Sequence, residues 1–283
     1  MASLGGLLAL LLSGLPALAQ GAPGAAPASA MAPGQTAPSW TDLADLALSA
    51  PIVLVADVRR VGRLGRRDTA DVPPGEARAL VEGNLAAVLK APGVLPAGAA
   101  WIWQGPADPR GRPTVARGAR VLLFARPLSG GRDPATQPMV LVARHGQQPW
   151  SAEAEATVRA ILTEALDPRL AGLAVTGVQD GFRTEGDVPG QSESQFFVAT
   201  ADGRPITLVV RREPGAAPRV LAATGDLVDR AEPIRPRTLA WRALACGLPR
   251  ELPPHLTGRA DLARDYALVL ASLGPCGRTR PGP

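Results

Sequence analysis

Residues 51–60, PIVLVADVRR, decide how this chain reads. Ile52 to Val58 is a nearly continuous apolar run, rich in β-branched side chains, bounded by Pro51 and by arginines. β-Branched residues are stiff at χ1 and pack well on a pleated surface, so a short run of this kind reads as a strand. The residues that follow repeat the theme. In 78–91, RALVEGNLAAVLKA, the Ala and Leu content also suits a helix. Gly83-Asn84 in its middle weakens that reading, and a strand or bent strand is expected. AAWIWQ at 99–104, ARVLLFA at 119–125 and MVLVAR at 139–144 read as further strands, bounded by Pro or Gly. Five strands at this spacing within residues 50–146 predict a small closed barrel.

The second half mixes periods. Ser151 is placed to cap a helix, with Glu153 and Glu155 at the positive end of its dipole and Asp167-Pro168 as its stop. Val158, Ile161, Leu162, Ala165 and Leu166 form its apolar stripe. Strands resume at 173–178. Residues 196–201 and 204–210 then flank Asp202-Gly203, a hairpin signal because Gly readily takes the positive φ that a tight turn requires. Residues 219–224 read as a third strand beside that pair. Two helices close the chain, one over 238–246 between Pro236 and Gly247, the other over about 259–273 with Thr257 as its N-cap. In the latter, Leu262, Tyr266, Val269, Leu270 and Leu273 follow helical spacing, and Gly274-Pro275 ends it.

Cys246 and Cys276 are the only cysteines. They are not in a C-x-x-C pair, and no Cys/His cluster offers four ligands, so a structural disulfide stapling the helical hairpin is expected and a metal site is not. The expected fold class is α+β and β-rich. An OB-like barrel half precedes a helix, an antiparallel hairpin sheet and a C-terminal helical hairpin.

The N-terminus reads as an address. Leu4 to Leu15 is apolar, Pro16 follows, and Ala17-Leu18-Ala19 precedes Gln20 as a small-x-small cleavage site. The run is shorter than the roughly 20 residues that span a bilayer, and no Cys stands at the cleavage point for lipid attachment. Residues 1–19 are therefore expected to be a signal peptide, with the product periplasmic or secreted and the mature chain without a transmembrane segment. Residues 20–39, QGAPGAAPASAMAPGQTAPS, cannot bury enough apolar surface to order themselves and read as a disordered linker. The folded part is expected as a barrel-like domain, 40–150, and an α+β domain, 151–283.

Charge excludes less than it first suggests. The formal net charge is +5, yet Lys90 is the only lysine and every other basic residue is Arg. With 30 Pro and 31 Gly, that skew is what a GC-rich genome produces, and no nucleic-acid partner is expected. Residues 40–150 hold 14 basic and 9 acidic side chains, whereas 151–283 hold 16 of each. Part of the excess is one cluster, Arg59, Arg60, Arg63, Arg66 and Arg67, relieved by Asp57 and Asp68. It reads as a solvated hairpin tip, or else as a surface for an envelope protein or an anionic surface.

Candidate chemistry is sparse. The histidines are His145, at the end of a strand, and His255, in the loop between the last helices. Gly190-Gln191-Ser192-Glu193-Ser194 lacks the closing Gly of a nucleophile elbow. Asp180, Glu185, Asp187 and Glu193 fall in 178–194, VQDGFRTEGDVPGQSES, read as a mobile polar loop without the ligand spacing of a calcium loop. Trp101 and Trp103, two apart on a strand, share a face. They are either a stacking platform or, since only 4% of residues are aromatic, the filling of the barrel core. No cofactor motif is present.

The succession APIVLVADV, AAVLKAP, AAWIWQGP and ARGARVLLFARP resembles secreted netrin-like, OB-type modules over residues 50–126, without the cysteines those modules carry at their start. VTGVQDGF, ESQFFVATADGRPITLVV and LAWRALACGLPRELP are similar to uncharacterised exported proteins of sphingomonad-type bacteria. Both resemblances imply a folded, exported protein. The expected role is non-catalytic binding or envelope interaction, through the Arg cluster (Arg59, Arg60, Arg63) or through Trp101 and Trp103. The alternatives are a hydrolase using His145 with a carboxylate of the 180–193 loop, and an assembly or folding partner for another exported protein.

Overall fold

Ser39 starts a helix that the sequence pattern did not reveal. In the computed structural model, which describes residues 37–128, 138–225 and 230–282, α1 spans Trp40–Ser49. Its start is a capping box, with the Ser39 hydroxyl accepting from the Asp42 amide and the Asp42 carboxylate accepting from the Ser39 amide. At its other end Lys90 Nζ donates to the Ala47 carbonyl, placing a cation at the negative end of the dipole. The expected signal peptide, and the linker as far as residue 36, lie outside the described residues.

Next come β1 (Ile52–Arg63), β2 (Glu76–Lys90), β3 (Gly98–Pro106), β4 (Arg120–Pro127), β5 (Met139–Leu141) and β6 (Gln147–Pro149). The strand order β1-β2-β3-β5-β4 closes because β4 also pairs with β1, giving a five-stranded OB-like barrel as expected. Only the β3–β5 pairing in it is parallel. The apolar continuity of 52–58 now has a cause. Ile52, Leu54, Ala56 and Val58 point into the barrel, while Val53 and Val55 lie under α1. Strand β4 does the same, with Val121, Leu123 and Ala125 inside and Leu122 and Phe124 outside.

Trp101 and Trp103 fill the barrel, at 0% and 7% exposure. Glycines on β2 and on β3 itself make room for the two indoles. A Cβ on Gly83 would sit 3.1 Å from the Trp101 ring, and one on Gly105 would sit 2.6 Å from Trp103. The strand expected over 139–144 stops at Leu141. Its chain bulges at Phe124, which donates to the Gly146 carbonyl and accepts from the Val142 amide, and β6 then continues along the same edge of β4. Gly146 is the residue that permits this, since a Cβ there would lie 2.9 Å from two carbonyl oxygens.

Helix α2, Ala152–Glu164, is capped by Ser151 as expected. Val158 and Ile161 are buried on it, but Leu166 lies beyond its end and is 81% exposed, so the apolar stripe is shorter than read. An antiparallel sheet follows, ordered β11-β10-β9-β8-β7, from β7 (Val175–Glu185), β8 (Ser192–Thr200), β9 (Ile206–Arg212), β10 (Arg219–Thr224) and β11 (Glu232–Pro233). The polar segment 178–194 is therefore not a loop. Most of it is the paired β7–β8 hairpin, and only residues 186–191 connect the strands. The Asp202-Gly203 turn is also longer than two residues: strand structure stops at Thr200 and resumes at Ile206, with Gly203 at φ 75°.

Helices α3 (Leu239–Gly247), α4 (Pro254–Thr257) and α5 (Ala260–Leu273) cover one face of this sheet. Thr257 belongs to α4, so it does not cap α5; Arg259 holds that position without a side-chain bond. Cys246 and Cys276 are joined by the expected disulfide. A third core packs α1 and α2 on the outer face of β1 and β4 and includes Leu239 of α3. No helix among the described residues is long and apolar enough to cross a membrane.

Candidate binding sites on the barrel

One end of the barrel is an apolar cleft of about 530 Å3. Ile52 and Leu54 form its floor from the first turns of β1, and Leu85 enters from β2. Its outer wall is the 91–97 connection, APGVLPA, whose prolines stiffen it and which carries Val94 and Leu95. Leu128, just past the end of β4, and Met139 of β5 complete the wall. Val94 is fully exposed, and Leu128 is more than two-fifths exposed. Apolar surface is thus presented to solvent around the opening, where folding alone would favour hiding it.

The rim carries the charge. Arg59 and Glu82 line the opening. Glu82 is shared by Arg59 at 3.4 Å and Arg60 at 3.5 Å, and both guanidiniums are about two-thirds exposed. Such exposed pairs contribute little, about 0–1 kcal/mol, so an incoming anion competes easily for the arginines. Arg63, Arg66 and Arg67 are exposed on the same hairpin. Asp57 does not relieve this cluster as the sequence order implied. It is bound bidentately by Arg120 at 2.7 and 2.8 Å, which holds its carboxyl below the usual range, and Arg120 itself sits over the Trp150 ring. Glu82, not Asp57, is therefore the acid that faces the cluster.

A second recess, of about 360 Å3, lies elsewhere on the barrel and shares no lining residue with the cleft. Trp103, Gln104, Arg144, His145 and Gln147 line it, with Arg280 from the chain's end. His145 is half-buried in the turn before β6. Burial, and then the nearby Arg280, lower its pKa, against the opposing influence of Asp42 and Asp45, so the imidazole is neutral at pH 7.

Of the residues singled out by sequence, the structure brings Trp103 and His145 into one recess and puts Arg59 on the rim of the other. Trp101 is enclosed, its indole N–H donating to Gln147 Oε1 at 2.8 Å, which rules it out as an open stacking surface. The carboxylates of 180–193 do not line the His145 recess, where the acid present is Glu76. Asp180 faces His255 at 3.9 Å instead, and Glu193 pairs with Arg211. Among the described residues no group of acidic, His or Cys side chains is arranged to hold a metal ion.

Two buried carboxylates that pair with arginines escaped sequence reading. Asp265, 1% exposed, accepts from Ser194 at 2.6 Å, from Arg183 at 2.9 Å and from Arg212. Asp45, 5% exposed, accepts from Arg242 and Arg278 and joins α1 to α3 and to the C-terminal tail. Their partners lie 53 to 233 residues away, a distance no local pattern signals. No protein-family model matches the chain, and no match is found among curated proteins.

Proposed function

We propose that this chain is an exported, non-catalytic binding protein of the bacterial envelope that holds an amphiphile with an apolar chain and an anionic head. The observation that carries this reading is the apolar cleft at the barrel end, with arginines on its rim. Its volume of about 530 Å3 falls within the range of small-molecule pockets, roughly 300–1,000 Å3. Leu54, Leu85, Leu95 and Met139 would receive the chain, and Arg59 and Arg60 the head. Burial of the chain supplies most of the affinity, at about 25 cal/mol per Å2 of apolar area. The arginines select the head and speed encounter.

Export rests on the N-terminal signal pattern and agrees with the disulfide, since such bonds persist in oxidising compartments. Dodecanoate, used below its micellar concentration, tests the reading by isothermal titration calorimetry. The expected result is one saturable site that weakens at least tenfold in Arg59→Glu and in Val94→Asp, while dodecyltrimethylammonium binds poorly to the wild type. Equal binding of the two amphiphiles, or indifference to both substitutions, would overturn it.

A further inference from the structure

The apolar cleft is lined by Ile52 at the start of β1, Gly98 at the start of β3 and Pro127 at the end of β4. The antiparallel order of these strands sends the β1–β2 and β3–β4 connections, residues 64–75 and 107–119, to the other end of the barrel. Register lays the two connections side by side. Glu76 pairs with Pro106, and the Ala107 amide donates to the Gly75 carbonyl at 2.9 Å. Arg78 fixes the first connection against β2, donating to the Asp68 carbonyl at 2.7 Å and to the Asp71 carboxylate at 2.8 Å. In the second, Asp108 accepts from the amides of Arg110 and Arg112 at 2.9 and 2.8 Å, which closes a tight turn.

Charge at this end is one-sided. Most of the acids on and beside it are already matched: Asp71 by Arg78, Glu76 by Arg144, Asp108 by Arg112 and Asp57 by Arg120. Glu82, further along β2, is held by Arg59 and Arg60. Arg63 at the end of β1, Arg66 and Arg67 in the first connection, and Arg110 and Arg117 in the second are all exposed. Among the described residues none of these five arginines has an ion-pair partner. Asp68, in the same turn as Arg66 and Arg67, offsets one of them.

We infer that this end of the barrel docks on the headgroup surface of an anionic lipid bilayer. The arginines are spread over two connections, a layout suited to a broad anionic surface more than to one small anion. No large apolar side chain is among the exposed residues of 63–76 or 106–119. A protein partner would call for one, because the centre of a protein interface is apolar and poor in charge. A bilayer instead offers many phosphates at once, and a guanidinium takes a phosphate bidentately. Each arginine near such a surface strengthens binding about fivefold, and the contributions accumulate. The inference does not depend on what the cleft holds, since the cleft opens at the other end.

The experiment is vesicle co-sedimentation of the oxidised chain beginning at Gln20. Vesicles of phosphatidylcholine mixed with phosphatidylglycerol are compared with vesicles of phosphatidylcholine alone. Binding is expected on the anionic vesicles only. It should fall at least tenfold as salt rises from about 0.1 to about 1 M, because the screening length shrinks from about 10 to about 3 Å. Arg66→Glu with Arg67→Glu, and separately Arg110→Glu with Arg117→Glu, are each expected to weaken it at least tenfold. Arg219→Glu with Arg250→Glu changes the net charge equally at exposed positions of the second half, and should leave binding within about twofold. Val94→Asp should also leave it unchanged, so a failure of the cleft reading would not disturb this result. Equal binding to the two kinds of vesicle, indifference to either arginine pair, or an equal loss in the Arg219 and Arg250 control would each overturn the inference. Retention on poly-L-glutamate without binding to anionic vesicles would overturn it too, and would make the partner an acidic protein.

Discussion

Replacing Asp45 by Ala removes the carboxylate that joins α1, α3 and the tail. Arg242 Nε and Arg278 Nε each donate to it at 2.6 Å, one to each oxygen, and Asp45 is 5% exposed. Deleting one partner of a fully buried pair costs about 3–5 kcal/mol, because the other charge is left without compensation. Here the arginines are less enclosed than the acid. The Arg278 side chain is 36% exposed and can turn to water, whereas that of Arg242 is 19% exposed. The expected cost is therefore roughly 2–3 kcal/mol, most of it from Arg242. With a urea slope of about 2–3 kcal/mol per molar, the unfolding midpoint should fall by roughly 1 M. Released from Asp45, the tail should also be cut faster by trypsin after Arg278. Asp261→Ala serves as the control, since its partner Arg259 lies 3.7 Å away with both side chains well exposed, and it should change stability little. An Asp45→Ala midpoint within about 0.2 M of wild type, with unchanged cleavage, would refute the reasoning that this contact holds the tail.

Three other outcomes follow from the packing. Replacing Cys246 and Cys276 together by Ser, which opens a link across a sequence separation of 30, should cost about 3–4 kcal/mol by urea unfolding. Gly83→Val should destabilise by about 1–3 kcal/mol, because its Cβ would meet the Asp57 carbonyl oxygen at 2.8 Å and the Trp101 ring at 3.1 Å. Tyr266, the only tyrosine, donates to the Pro249 carbonyl and is pushed up to about 12 by burial. Its absorbance at 295 nm should titrate there rather than near 10. Since the unfolded phenol ionises first, stability should fall as pH rises above 10.

Strands β1 to β4 were legible because they are rich in β-branched and large apolar side chains and are punctuated by Pro and Gly. Strand β10, 219–224, was placed to the residue. Legibility failed where the chemistry of a segment disagreed with its surroundings. Strand β7 reads VTGVQDGFRTE and leaves most of its side chains in or near solvent, so its apolar signal is weak and only the pairing with β8 makes it a strand. Helix α1 is short, and its amphipathic spacing includes Asp42 and Asp45, which look like surface residues until Thr279 and Arg242 are seen beside them.

The sites divide in the same way. Arg59, on the rim of the candidate cleft, was singled out through its cluster, and Trp103 and His145 as rare residue types. The cleft itself is a property of the barrel's closure, and Arg280 reaches its recess only through contacts spanning more than 230 residues.

The barrel-end cleft is tested most directly by backbone amide chemical shifts of the 15N-labelled mature chain during titration with dodecanoate. Saturable changes concentrated at Leu85, Val94, Leu95, Gly98 and Leu128, with Arg59 following the head group, are the predicted result. Changes confined to the His145 recess, or none at saturating ligand, would contradict the claim that this cleft is the binding site.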